Sequence, residues 1–307
     1  MTARPGAGAP LSWRRRFVAA APYLWLGLFF AVPFLIVLKL SFAEVVLARP
    51  PYTPLVQWLD AAGRIAPAIR VNLGNYLLLV NDDLYIRSLL NSLRIALVAT
   101  VIALALGYPI AYAVARAPQR WRTILVTLII LPFWTSFLIR VYAWIGILKN
   151  EGLLNAALLK IGLIAKPLVI LNTDWAVYIG IVYSYLPFMI LPLYAALEKQ
   201  DPALLEAAAD LGAPPWKSFW TVTVPLSLPG VVAGSLLVFI PAVGEFVIPD
   251  ILGGSGTLMI GKTLWSEFFN NRDWPLASAI AVVLLLVVIA PIVWLQRLQA
   301  SRTEAEQ

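Results

Sequence analysis

Six runs of predominantly apolar residues, at 18–42, 88–115, 123–148, 175–197, 228–252 and 274–296, limit what this chain can fold into. A bilayer core is about 30 Å thick and an α-helix rises about 1.5 Å per residue, so about 20 apolar residues are enough to cross it. Each run meets that length. The sequence therefore predicts an all-α polytopic membrane protein with six transmembrane helices. Composition supports this: 61% of residues are hydrophobic and 13% charged, whereas soluble domains carry about 45–50% and 25%.

The chain has no cysteine and no histidine. That excludes disulfides, thiolate and imidazole metal sites, Cys–His nucleophiles and Ser–His–Asp triads together. The net charge of +7 does not point to nucleic acid, because the basic residues are spread over the ends of the apolar runs instead of gathering on one face. Their placement sets topology. Arg14, Arg15 and Arg16 precede the first run, and Arg116, Arg120 and Arg122 crowd the short loop after the second. By the positive-inside rule both loops, both termini and the segment 198–229 are cytoplasmic. The first run resembles a secretory signal in its arginines, but its apolar stretch exceeds the usual 7–15 residues and no A-x-A-like site follows, so it is expected to stay in place.

The expected organisation is a single domain: a cytoplasmic segment 1–17, a six-helix membrane region 18–297 with a cytoplasmic loop at 198–229, and a cytoplasmic tail 298–307. Lipid surrounds it. The first outer loop, 43–87, opens on a Pro-rich turn (Pro50, Pro51, Pro54) and is long enough for short interfacial helices.

The polar loop between the fourth and fifth runs contains the main functional signal. Asp201 before Pro202 is a strong helix start, and Gly212 ahead of Pro214 and Pro215 is a clear stop, which predicts a helix of about ten residues. Leu204, Ala208 and Leu211 lie on one face, while Glu206 and Asp210 show charge elsewhere. Ala207, Ala208 and Ala209 lack bulk, so another surface can approach closely. The same features fit an amphipathic connector lying on the membrane.

The pattern Glu206-Ala207-Ala208, three residues, Gly212, then Val222 and Val224-Pro225 resembles the EAA loop of permease subunits in binding-protein-dependent ABC importers; Val222 and Val224 stand where that family more often has Ile and Leu. The stretches 33–37, 51–53, 135–149, 239–250 and 268–275 resemble the polyamine permeases more specifically, of the putrescine type. The resemblance implies the type I ABC importer permease fold. It also implies that Glu206, Ala207, Ala208, Asp210 and Gly212 form a coupling helix seated in a cytoplasmic ATPase. The implied partners are a second related permease, two ATP-binding subunits and a periplasmic polyamine-binding protein in a bacterial inner membrane. ATP and Mg²⁺ would then belong to the partner ATPases, and this chain would carry no cofactor, no metal and no catalytic residue.

Ionisable residues inside a span cost about 2.5–3.5 kcal/mol on insertion scales, so each is a functional candidate. Glu245 is the foremost, expected in the outer half of the fifth helix, roughly 26 Å from Leu228, where Gly244, Pro241 and Pro249 break the hydrogen-bond ladder. Gly244, Pro241 and Pro249 around it would free backbone carbonyls for an ammonium group. Either Glu245 lines a cation path or it pairs with Arg140, which would repel a cationic substrate and is expected in a structural or gating ion pair. Asp250 is nearer the interface and expected to be solvated, where it is still a substrate-path candidate that raises the local cation concentration. Trp134, Tyr142, Trp144, Tyr183 and Tyr185 offer ring faces to an alkylammonium, or anchor the span ends as interfacial aromatics do.

Gly256 to Thr263 fits the phosphate-loop pattern G-x-x-x-x-G-K-[ST], but that loop needs a buried strand before it and a soluble α/β domain around it. Here it is expected to be a Gly-rich turn outside the membrane. The expected function is a non-catalytic importer permease for polyamines, most specifically putrescine. The alternatives are a self-contained secondary transporter or channel for organic cations and, least in keeping with the context, an ATPase using Lys262.

Overall fold

The computed structural model describes residues 13–54, 56–61, 64–69 and 71–305. Most of the expected segment 1–17 therefore lies outside the described residues, as do the last two residues of the tail. Among the described residues, five helices are long and apolar enough to cross a membrane, or six crossings if one bent pair counts as a span. In order they are Ala20–Ser41, Asp83–Arg116, the pair Gln119–Trp134 and Phe137–Lys160, Asp174–Glu198, Pro215–Val243 and Trp274–Val293.

The chain forms two compact units: residues up to Leu78 with Glu267–Leu286, and Leu79–Ser266 with residues from Val287 onward. In the second unit the second, fourth and fifth spans pack on one another. Lipid tails are as apolar as leucine, so close packing and hydrogen bonds must hold such helices together. The second span supplies a stripe for this: Ala96, Ala99, Ala103, Gly107 and Ala111 recur three or four residues apart, and all are buried. Ile181, Met189 and Leu193 of the fourth span and Val238 and Ala242 of the fifth are fully buried. Tyr108 and Ser227 hydroxyls meet at 2.8 Å between the second and fifth spans.

The third and fifth runs are both interrupted, the third where no break was expected. The third run is not one helix: its halves meet at 90°. Pro132 lies in a short 3-10 turn, Leu131–Trp134, and Thr135 and Ser136 take extended backbone before the helix Phe137–Leu148 begins. Proline lacks the N–H that would continue the ladder, which accounts for a break there. The fifth run is also broken. Its span begins at Pro215, well before Leu228, and ends at Val243; Gly244 and Glu245 are non-helical and a short helix, Val247–Ile251, follows. Glu245 is thus at a break between helices and not partway along one.

In the first unit, most of the apolar residues of the Ala20–Ser41 span are exposed, Trp25, Leu28 and Phe29 among them. The outer loop holds one short helix, Gly74–Asn81, as expected. It also holds a two-stranded antiparallel hairpin, Val56–Ala61 against Arg64–Ile69, which was not. Asn75 ties this loop to the end of the first span, its Nδ2 donating to the Ser41 and Ala43 carbonyls at 2.9 Å each. The overall class stays helical.

Candidate functional site

A cavity of about 590 Å³ lies where the two helix breaks meet, with Phe133, Thr135 and Phe137 from the first break and Gly244, Glu245 and Phe246 from the second among its lining residues. Irregular backbone at membrane depth is tolerated only when buried in protein or lining a cavity, and both breaks satisfy that condition here. Glu245 is the buried carboxylate of this cavity, with 7% exposure. Its Oε1 accepts from the backbone N–H groups of Val247 at 3.0 Å and Ile248 at 3.4 Å, and its Oε2 accepts the Tyr185 hydroxyl. A carboxylate has about four lone-pair sites, so three bonds leave acceptor capacity for a cation.

Arg140 lines the same cavity, yet no ion pair joins it to Glu245; the ion pairs among the described residues are Arg87–Asp83, Arg122–Glu198 and Lys262–Asp250. The expected pairing is therefore corrected. Carbonyls freed at the break are candidate ligands only where they face a cavity. A Cβ built on Gly261 would come within 2.3 Å of the Gly244 oxygen and 2.6 Å of the Glu245 oxygen, so both carbonyls lie against the Gly261 backbone.

The aromatic set divides. Tyr185 reaches Glu245 and lines the cavity. Trp144 and Tyr183 pack edge to face at 5.3 Å and line a separate apolar cavity of about 370 Å³. Residues two apart on a helix point away from each other, which is why Tyr183 and Tyr185 part company. Trp134 and Tyr142 are mostly exposed and line neither cavity. Asp250 is exposed, as expected, with its Oδ1 3.3 Å from Lys262 Nζ, and it stands outside the Glu245 cavity. Sequence reasoning missed Ser184 and the rings of Phe133 and Phe188, which the cavity includes. Pro132 was the available signal, because a proline in mid-span marks where side chains can turn into a cavity.

The hairpin between the fourth and fifth spans holds a helix at Ala203–Asp210, slightly shorter than expected. Asp201 caps it, with Oδ1 accepting from Ala203 N at 2.9 Å. At its end Gly212 takes φ +76°, and the Ala213 N–H reaches back to the Ala208 carbonyl at 3.0 Å, closing a Schellman turn. None of its residues is buried: Glu206, Ala207 and Asp210 are exposed, and Leu211, expected on a buried face, is 89% exposed. The helix is thus capped at both ends and has no buried residue, with Leu205 and Ala208 half-buried. Gln200 Nε2 fastens the hairpin to the entry of the fifth span by donating to the Thr223 carbonyl at 3.0 Å.

The phosphate-loop lookalike is occupied by protein. Thr263 Oγ1 is buried and bonds to Ser88 at 3.2 Å, Ile260 N donates to Ser92 Oγ at 2.7 Å, and Asn91 donates to the Leu258 carbonyl at 2.8 Å. Lys262 is engaged by Asp250. The second span thus clamps this segment against the fifth-span break.

The fold and the exposed hairpin define a membrane transport component, and the comparisons agree. Residues 99–305 match the family described as the binding-protein-dependent transport system inner membrane component, and the chain belongs to that family. It is 40% identical over 274 residues to the spermidine/putrescine transport system permease protein PotB of Haemophilus influenzae, covering 89% of this chain and 90% of that one. Against the Escherichia coli PotB it is 46% identical over 216 residues, 70% of this chain and 78% of the other. Among solved structures it resembles a chain of a bacterial ABC transporter involved in alginate import, with TM-score 0.68 at 16% identity over 93% of this chain and 94% of that one. A chain of the MetNI methionine ABC transporter gives 0.53 at 17% identity over 70% and 94%. The chain is a multi-pass inner-membrane permease subunit, and the family's role is transport without catalysis.

Proposed function

We propose that this chain is one of two permease subunits of an ATP-driven polyamine importer. Putrescine is the favoured substrate and the Glu245 cavity is part of the path. The observation that carries the importer reading is the Ala203–Asp210 helix, capped at both ends and with no buried face. It supports docking on a cytoplasmic ATPase through Glu206, Ala207, Ala208, Asp210 and Gly212, with both termini on that side. The kinship to spermidine/putrescine permeases supports the substrate class. A buried carboxylate with spare acceptor capacity beside aromatic rings is the chemistry an alkylammonium needs.

ATP with Mg²⁺ binds the two partner ATPases, whose closure moves the coupling helix and turns the cavity from one side of the membrane to the other. A periplasmic binding protein delivers the amine. Tyr185 and the backbone N–H groups of Val247 and Ile248 hold the Glu245 carboxylate in place, so the cation meets an oriented acceptor. Trp134, Tyr142, Trp144, Tyr183 and Asp250 stand outside that cavity, and only Tyr185 of the aromatic set is kept as a direct contact of Glu245.

The test is uptake of labelled putrescine into proteoliposomes holding the permease pair, with binding protein and the ATPases added or withheld, and with spermidine as competitor. ATP-dependent uptake that requires every component is expected, with spermidine the weaker competitor. Uptake without the ATPases would overturn the importer reading, and stronger competition by spermidine than by unlabelled putrescine would overturn the substrate preference.

A further inference from the structure

The Glu245 cavity already contains a cation that belongs to the chain. Arg140 projects from the helix Phe137–Leu148, and its guanidinium carbon lies 5.0 Å from the centroid of the Phe133 ring and 5.9 Å from that of Phe137. Planar guanidinium over a ring face is a favourable arrangement in a desolvated place. Arg140 has no carboxylate within ion-pair distance among the described residues, and its Nε is buried without a hydrogen-bond partner. An arginine placed for structure alone, in a cavity that also contains a carboxylate, would be expected to pair with it. Arg140 instead rests on the rings, while Glu245 is held by Tyr185 and two backbone N–H groups.

We propose that Arg140 is a tethered competitor for the transported cation: its guanidinium holds the ring faces beside Glu245, and an incoming alkylammonium must displace it. A site that keeps its own competitor binds substrate more weakly than the bare rings and carboxylate would, which favours release once the cavity turns. The two cavity-lining rings that hold Arg140 come from either side of the third-span break, so the competitor and the opening in the helix are built from the same short segment, Phe133 to Arg140. The inference rests on the cation-path reading of this cavity.

The test is equilibrium binding to the purified permease–ATPase complex without binding protein. Arg140→Gln is expected to bind labelled putrescine at least threefold more tightly than the wild type, with Arg140→Lys in between because it keeps the charge but loses the planar stack. Unchanged or weaker binding by Arg140→Gln overturns the proposal. A second probe is independent of the natural substrate: methylguanidinium at millimolar concentration should raise the melting temperature of the Arg140→Gly complex saturably and leave the wild type unmoved. If methylguanidinium stabilises Arg140→Gly but no polyamine binds any form, the guanidinium site on the Phe133 and Phe137 rings is real but the polyamine reading fails and the competitor falls with it. If polyamines bind but methylguanidinium does nothing to Arg140→Gly, the competitor is refuted and the polyamine reading stands.

Discussion

Gly256 and Gly261 are the two glycines of the phosphate-loop lookalike, and the structure separates their roles sharply enough to test. A Cβ at Gly256 would meet nothing within 4 Å, whereas one at Gly261 would come within 2.3 Å and 2.6 Å of the carbonyl oxygens of Gly244 and Glu245. Those oxygens are backbone and cannot rotate away. Ordinary contact begins near 3.4 Å, so the helix Ile260–Trp265 must retreat by roughly 1 Å, an overpacking strain that typically costs 1–3 kcal/mol. Alanine returns up to about 1 kcal/mol of helix propensity. Retreat is also resisted by the Ile260–Ser92 and Thr263–Ser88 hydrogen bonds and by the stack of Phe246 on Trp265 at 4.4 Å. Gly261→Ala is therefore expected to lose about 1–2 kcal/mol, read as a lower melting midpoint of the solubilised complex, with reduced uptake because Gly244 and Glu245 are displaced together. Gly256→Ala is expected to stay within about 0.5 kcal/mol of wild type. Equal damage from the two substitutions, or an unaffected Gly261→Ala, would refute the packing argument.

Glu206→Lys reverses an exposed charge on the unpacked helix, so insertion and stability should be normal while ATP-dependent uptake falls at least tenfold; normal uptake would remove Glu206 from the docking surface. Glu245→Gln keeps the shape and the backbone bonds but removes the charge, and uptake that matches wild type would take Glu245 out of the path. Lys262→Ala breaks a half-exposed ion pair worth about 0.2–1 kcal/mol; ATPase activity of the complex should be unchanged, and its loss would revive a nucleotide role for that lysine. Asp273 offers a pH test. Burial raises its carboxyl above the usual aspartate range, the bond from Leu276 N opposes this, and nearby Glu267 adds to the rise. The folded state thus favours the protonated acid, so its stabilising contribution is complete below the unfolded value near 3.9 and is lost as pH climbs through the higher folded value. Asp273→Asn keeps the cap and should match or exceed wild type at pH 7, while Asp273→Ala loses about 1 kcal/mol; melting curves from pH 4 to 7 decide it, and an Asn variant no better than Ala would count against this account.

Span number and helical class are legible in the sequence because length and hydropathy act through the solvent and need no knowledge of neighbours. The caps of the Ala203–Asp210 helix are legible for a similar reason: Asp201 and Gly212 act on backbone within a few residues of themselves. What sequence could not deliver depends on which residues turn toward each other. Pro132 announces a possible break, but only packing fixes a 90° bend. Counting depth from Leu228 misplaced Glu245, because the fifth helix starts at Pro215 and stops at Val243. Arg140 and Glu245 seemed natural partners at similar depth, yet the rings of Phe133 and Phe137 hold the arginine instead. The outer hairpin has alternation too weak, with Pro67 inside a strand, to stand out among apolar neighbours.

The fifth span joins the hairpin to the cavity as one rod. Pro215–Val243 comprises 29 residues, with the unpacked helix just before it and the Glu245 break just after, and at 1.5 Å per residue it is about 43 Å long. Geometry then acts as gearing: a tilt of about 5° about one end sweeps the other through about 4 Å over that length. A small rotation about the hairpin end is therefore enough to shift the Glu245 break by about the width of one small polar group.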